Sequence, residues 1–318
     1  MSEIDKVFAG SIPENYDRYL VPLIFESYAQ DIAQRVAALS PSTVLETAAG
    51  SGVVTRALTP RLSPNASYVV TDLNQPMLDY AATRQVADSR INWRKADAQA
   101  LPFEDAAFDL VCCQFGVMFF PDRQLGYREA KRVLKPGGCF LFNVWDRIEE
   151  NVFANDVTNS LAEVFPSDPP RFLARTPHGY HDTALIRSEL EKAGFSSVVI
   201  ETRAEQSRAS SPRHPAVAYC QGTPLRSEIE ARDADKLEAA TDYAAATIAN
   251  RHGSGEVAAH DRFGSKPVRL GVSTRFPVPA KLSACRVSGD DKRFGFHSPI
   301  QREPHFAKEM VPAFGEQS

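Results

Sequence analysis

The stretch VLETAAGSGVVTRAL, Val44 to Leu58, passes from apolar residues through the acid Glu46 into small residues and then into a helical pattern. Side chains are nearly absent between Glu46 and Gly52. Gly50 and Gly52 let a backbone turn tightly and let a ligand approach the main chain closely. A plain packing turn between strand and helix is the competing reading. Asp72 follows, 20 residues beyond Gly52, at the end of the next β-rich run. A carboxylate there lies beside the glycine turn and can accept hydrogen bonds from both hydroxyls of a ribose. It can also serve as an N-cap, because a helical pattern begins just after it. Asp97, in KADAQALPF, ends a third β-rich run. Its carboxylate can accept from an adenine amine, with the Ala98 N–H free for a ring nitrogen; the alternative is a surface turn.

The register of the small residues separates two nucleotide classes. A dinucleotide site needs a helix N-terminus open to a pyrophosphate, usually with G-x-G-x-x-G. Here Ala48-Ala49-Gly50-Ser51-Gly52-Val53-Val54-Thr55 has no third glycine in register, and Glu46 repels a pyrophosphate. Both features oppose an NAD-dependent oxidoreductase. The same acid attracts an ammonium or a sulfonium. A nucleoside with a positive tail, S-adenosyl-L-methionine, is the ligand this pattern fits. A catalytically silent binding protein of the same fold is the other alternative, motivated by Ala48 and by an unusual C-terminal stretch.

The elements that must position these residues alternate. After an amphipathic N-terminal helix (NYDRYLVPLIFESYAQDIAQRVAAL), β-rich runs at 42–46, 67–72, 91–97, 108–115 and 139–145 are separated by helical patterns at 51–58, 75–85 and 123–134. FDLVCCQF is continuously apolar, as a strand buried on both faces requires. Such alternation predicts βαβ units and a parallel sheet. Beyond Asp146 the rhythm breaks into an aromatic-rich segment. A helix at 183–195, a strand at 197–204 and a long helix at 234–253 follow, the last with Gly253 as a plausible cap.

The chain has 318 residues, 43% hydrophobic, enough for a substantial core. Net charge is −4, from 36 basic and 40 acidic side chains, which argues against nucleic acid as partner. No apolar run approaches the length of a membrane span, and the start MSEIDKVFAG does not fit a secretory signal; a soluble, cytoplasmic protein is expected. The five cysteines have no CxxC spacing, so neither a disulfide framework nor a zinc site is expected, and no metal is assigned. Residues 261–318 hold 10 Lys/Arg against 6 Asp/Glu, are rich in Pro and Gly, and lose periodicity. They read as a tail, mostly loop or disorder, with one strand-like run at 268–276, after a domain of residues 1–260.

VLETAAGSG, VVTDLNQPMLDYA, KADAQALPFEDAAFDLVCCQF and RVLKPGG, in this order, resemble the successive motifs of class I S-adenosylmethionine-dependent methyltransferases. The branch most similar is that of the small-molecule ubiquinone/menaquinone biosynthesis methyltransferases. The resemblance covers roughly residues 10–260. Ala48 occupies the first glycine position of the family's motif, and Glu46 stands where Asp is commoner. The resemblance implies a Rossmann-like, seven-stranded, mostly parallel sheet with helices on both faces and a final antiparallel hairpin. SVVIETRA would supply one strand of that hairpin and either about 256–262 or 268–276 the other, with a helical cap inserted at about 147–182. It implies that Glu46 orients the amino-acid tail through the loop. By the same resemblance Ala48, Gly50 and Gly52 form the loop along methionine and ribose, and Asp72 binds the ribose. Leu73 and Met77 border the adenine, Asp97 and Ala98 bind its edge, and Gln114 lies near the methionine part. LKPGG is structural.

Methyl transfer is an in-line displacement whose charge disperses at the transition state, so orientation in a dry pocket supplies much of the acceleration. Candidate acceptor-side residues lie in two places: Tyr16 and Tyr19 in NYDRYLVPLIF, and His178, Tyr180 and His181 in PHGYHD. Tyr19 and His181 are the two taken forward as catalytic. Ordinary helix packing and polar loop positions are the competing readings. Phe153, Phe165 and Phe172 suggest a largely apolar acceptor, although core packing of the cap explains them equally. No Asn-Pro-Pro-Tyr-like tetrapeptide follows the fourth strand; CQFGVMF stands there. The favoured partner is a small molecule, methylated on oxygen or carbon.

Overall fold

The computed structural model describes residues 12–201, 203–261 and 271–272. Helix α1 (Ile12–Asn15) continues through a wider, π-helical segment, Tyr16–Phe25, into α2 (Glu26–Ala38). Pro22 has no N–H to donate, and the Glu26 N–H reaches back five residues to the Val21 carbonyl. There follow β1 (Thr43–Glu46), α3 (Val53–Leu58), β2 (Ser67–Asp72), α4 (Gln75–Arg84), β3 (Ile91–Lys95), β4 (Phe108–Gln114), α5 (Arg123–Val133) and β5 (Leu134–Asn143). The five strands pair in parallel in the order β3-β2-β1-β4-β5. The winding reverses between β1 and β4, and at such a switch point the crevice beyond the strand ends is the natural ligand site.

Both faces of this sheet are covered. Leu45, Val111, Cys113, Phe140 and Phe142 join one buried cluster. Their sequence neighbours Val44, Leu110, Cys112 and Leu141 join another with Ile32, Val36 and Leu58. That alternation is the period of two that a strand imposes, and apolar residues on both faces explain the unbroken run FDLVCCQ.

Helices α6 (Val152–Val164) and α7 (Phe172–Arg175) occupy the expected cap segment, and α8 (Thr183–Lys192) packs on α5. Two helices not expected from the sequence, α9 (Arg213–Gln221) and α10 (Leu225–Arg232), join the cap with α11 (Leu237–His252). α11 lies against α6 and α9, and α9 lies against Tyr16–Phe25. Gly253 ends α11 at φ 96° with its N–H on the Ala249 carbonyl (2.9 Å), a conformation that favours glycine.

The expected seven-stranded sheet is not what forms among the described residues: the main sheet has five strands. Of the SVVIETRA run only Val198–Val199 forms a strand, and the next strand begins just after the run, at Glu205. β6 (Val198–Val199) pairs antiparallel with β9 (Gly271–Val272), and β7 (Glu205–Ala209) pairs antiparallel with β8 (Val257–Asp261). Between β6 and β7, Glu201 and Arg203 are held to Arg35 and Asp31 of α2 by ion pairs, where a continuous ladder was expected. Both candidate partners of the hairpin are therefore strands, each with a different short piece. The rest of the 261–318 reading lies outside the described residues. No helix among the described residues is long and apolar enough to cross a membrane.

Candidate active site

The loop after β1 is held against its neighbouring strands. Thr47 N–H donates to the Cys112 carbonyl (2.9 Å) and Ala49 N–H to the Thr71 carbonyl (3.0 Å). The turn then passes through positive φ at Ala48 (53°), Gly50 (57°) and Gly52 (81°). Gly52 is required for packing as well as for its φ, since a Cβ there would come within 2.9 Å of the Ala81 Cβ on α4. Ala48 takes a left-handed conformation that costs a non-glycine residue roughly 1–2 kcal/mol. Its methyl faces Gly116, where any Cβ would meet it at 2.5 Å.

Asp72 ends β2 with one oxygen accepting the Gly50 N–H (2.8 Å) and the other the Asn74 N–H (2.8 Å). It thus ties the glycine turn to the start of α4. Burial pushes its carboxyl above the ordinary range, and the Asn74 and Gly50 donors oppose that. The first-named oxygen, Oδ2, keeps a second lone pair for a ligand hydroxyl, while Oδ1 also accepts from the Asn74 side-chain amide (3.4 Å).

A cavity opens beyond these strand ends. Ala48, Gly50, Asp72, Leu73, Met77, Asp97, Ala98 and Gln114 all line it, and its empty volume is about 830 Å³, open mouth included. Asp97 Oδ1 accepts from the Gln99 N–H (2.8 Å). Leu73 is 42% exposed, an apolar side chain left at the mouth. Gln114 donates its amide to the Phe25 carbonyl (3.3 Å), while its Oε1 is buried and has no hydrogen-bond partner among the described residues. These features fit S-adenosylmethionine part by part. The fit comprises an acid for the ribose, apolar surface for the adenine, a carboxylate and an N–H for its edge, and an orphaned acceptor for an ammonium. Tyr16, Phe115 and Phe119 complete the far wall.

Two of the expected residues lie behind the cavity instead of in it. Gly52 lines no part of it. Glu46 is 2% exposed and accepts from the Thr55 hydroxyl (2.7 Å) and the Tyr68 hydroxyl, beneath the loop. Burial pushes its carboxyl up to about 7.

A second cavity lies under the cap and shares Tyr16, Phe115 and Phe119 with the first. Its other walls include Leu20, Ile24, Phe25, Trp145, Phe172 and His178. Phe115 is itself at φ 51°, unusual for a bulky side chain. It is stacked on Trp145 with ring centroids 3.6 Å apart and planes within 6°. Tertiary packing of this kind overrides local preference, and residues so held cluster at functional sites.

Tyr19 and His181 line neither cavity. Tyr19 meets His214 of α9 edge-on (5.3 Å), with Arg18 over its ring. His181 is exposed, and its Nδ1 lies 3.0 Å from the His178 carbonyl. Of their neighbours, Tyr16 lines both cavities and His178 the second. Tyr180 is buried, bonded to Tyr127 (3.0 Å) and Glu189 (2.5 Å). Sequence reasoning missed Phe115, Phe119 and Trp145, which read only as strand-end core. It also missed Asp17, which accepts from Ser51 of the loop (2.9 Å) and from Arg56 (2.7 Å), and pairs with Arg84 (3.6 Å).

Comparison with known proteins agrees with this geometry. The profile of the ubiE/COQ5 methyltransferase family matches residues 2–206. The chain is 30% identical over 172 residues to the demethylmenaquinone methyltransferase of Clavibacter sepedonicus, covering 51% of this chain and 69% of the relative. It is 29% identical over 172 residues to the ubiquinone/menaquinone biosynthesis C-methyltransferase UbiE of Hahella chejuensis, covering 48% and 67%. A solved SAM-dependent methyltransferase from Thermotoga maritima, described as a possible histamine N-methyltransferase, aligns at TM-score 0.49 and 17% identity. That alignment covers 86% of this chain and 100% of the other. On the family match, spanning the glycine turn and both strand-end acids, this chain belongs to the ubiE/COQ5 methyltransferase family and is an S-adenosylmethionine-dependent methyltransferase.

Proposed function

We propose that the chain methylates a small, largely apolar or aromatic molecule, on carbon or oxygen, with the cofactor in the first cavity and the acceptor in the second. The observation that carries this reading is the wall of Tyr16, Phe115 and Phe119 common to both. Two ligands in neighbouring cavities can meet only across such a wall. The relatives named above are a demethylmenaquinone methyltransferase and a quinone-biosynthesis C-methyltransferase, which supports carbon and a quinol-type ring. Residues 1–260 carry the activity in this reading, with the cap over the acceptor.

The cofactor supplies an electrophilic methyl group on a sulfonium. Asp72 holds the ribose, Leu73 and Met77 flank the adenine, and Asp97 with Ala98 reads its edge. Gln114 Oε1 accepts from the ammonium, and Glu46 braces the loop from beneath through Thr55 and Tyr68. The aromatic faces of the shared wall favour a neighbouring cation. The apolar walls of the second cavity exclude water and fix the acceptor's approach, and orientation of this kind is worth about 7–11 kcal/mol in favourable cases.

The test is a screen of phenols, quinols, carboxylates and amines for formation of S-adenosylhomocysteine, run beside Leu173→Trp, which fills the second cavity. The reading predicts turnover with ring acceptors, lost in the variant while affinity for S-adenosylhomocysteine is kept. Turnover that survives the filled cavity contradicts it.

A further inference from the structure

His178 stands apart from the other groups of the second cavity. It is 6% exposed, and its Nδ1 lies 2.8 Å from the Asp146 carbonyl. A carbonyl only accepts, so Nδ1 carries the hydrogen and Nε2 carries the lone pair. Among the described residues Nε2 has no hydrogen-bond partner, although the ring lines the cavity. Thr223, by contrast, donates its hydroxyl to the Tyr219 carbonyl (2.7 Å), and Asn151 donates its amide to the Arg147 carbonyl (3.0 Å). Burial pushes the His178 imidazole down to about 4, against the pull of the Asp146 carbonyl and carboxylate and of Glu149, and with the push of His181. The ring is therefore neutral at pH 7 and fixed in the tautomer that accepts.

We infer that His178 is the catalytic base for the acceptor, its Nε2 taking the proton of a ring hydroxyl while a ring carbon takes the methyl group. The inference rests on the acceptor site proposed above. His178 belongs to the second cavity alone, and its ring meets Trp145 (6.1 Å), which is stacked on Phe115 of the shared wall. The hydroxyl at His178 and the atom at the wall are thus different atoms of one acceptor. Loss of the hydroxyl proton spreads its electron pair to the ortho and para ring carbons. A carbon–carbon bond then forms to the methyl group, and the C–S electron pair stays on sulfur. The positive charge of the sulfonium is lost from sulfur as an equal charge arrives on the imidazolium, so no net charge is created in a dry site. Once released to solvent, the dienone moves the hydrogen of the methylated carbon to its oxygen through water, and the imidazolium gives its proton to solvent. His178 is restored, and one proton is released overall.

The test uses the full chain, ¹⁵N-labelled at histidine and saturated with S-adenosylhomocysteine, with 1-naphthol and 1-methoxynaphthalene as probes. Addition of 1-naphthol moves the His178 Nε2 resonance, and the methoxy compound, with no proton to give, does not. His178→Asn keeps a donor for the Asp146 carbonyl but has no lone pair at the Nε2 position. It binds 1-naphthol about tenfold more weakly, with unchanged affinity for the methoxy compound and for S-adenosylhomocysteine. With an acceptor from the screen, its kcat falls about 100-fold or more. A protonated Nε2 in the wild type, or equal naphthol binding and kcat in the variant, overturns the assignment. Probes that bind without moving Trp145 or Phe172 resonances overturn the acceptor site itself, and the base with it.

Discussion

Ala48 shows how one methyl group shapes the cofactor loop. At φ 53° it is strained, and its Cβ forces position 116 to be glycine. Ala48→Gly relieves the left-handed cost, and the freer unfolded chain takes back part of it, leaving a gain on the order of 0.5 kcal/mol. Gly116→Ala instead meets Ala48 Cβ at 2.5 Å and Cys113 Sγ at 2.6 Å, a clash worth about 1–3 kcal/mol. Urea unfolding of both variants checks the pair of signs. Glu46 gives a pH prediction. Its folded carboxyl titrates near 7, above its unfolded value of 4.5. The stability it contributes is complete below 4.5 and is lost as pH rises through 7. Glu46→Gln is expected to flatten that part of the fall between pH 5 and 8, and an unchanged pH slope in the variant contradicts it. The position of Asp72 was legible in the sequence because a strand's end fixes where its last residue stands; Asp97 stands two residues beyond the end of β3. Tyr19 and His181 were not separable from Tyr16 and His178, because three residues along a helix or loop share much the same surroundings. Tyr16 stacks on Phe25 (5.1 Å) and His178 meets Trp145 (6.1 Å), ring contacts invisible in sequence spacing.

At the scale of elements, the π-helical segment Tyr16–Phe25 joins the two sites. Tyr16 lines both cavities, and the next residue, Asp17, is latched to Ser51, Arg56 and Arg84. Asp17→Ala leaves those donors without their carboxylate, and bonds to a charged group are worth about 1.5–3 kcal/mol each. Hydrogen exchange across Tyr16–Phe25 is expected to quicken by about tenfold or more, and binding of S-adenosylhomocysteine to weaken. Unchanged exchange would mean that cap packing, and not Asp17, holds this segment. The βαβ rhythm up to β5 was legible because each strand is apolar on both faces and each connection is short. Helices α9 and α10 were not, because Pro212, Pro215 and Pro224 crowd a stretch where proline breaks a helix at most positions. Pro212 and Pro224 each sit at the N-cap, and Pro215 lies in the first turn of α9, positions where the missing N–H costs nothing.

At the scale of the whole molecule, every described residue lining the first cavity falls between Tyr16 and Pro121. Removing residues 277–318 is therefore expected to leave affinity for S-adenosylhomocysteine within about twofold. A larger loss on calorimetry would give those residues a part in the site. That SVVIETRA holds only a two-residue strand could not be read locally, because Glu201 and Arg203 pair with Arg35 and Asp31, far away in sequence. A crystal structure with S-adenosylhomocysteine bound tests the two-cavity arrangement most directly. The predicted result is a ribose on Asp72, an adenine between Leu73 and Asp97, and a sulfur facing Tyr16, Phe115 and Phe119. An adenosine bound elsewhere, or a sulfur turned away from that wall, would contradict it.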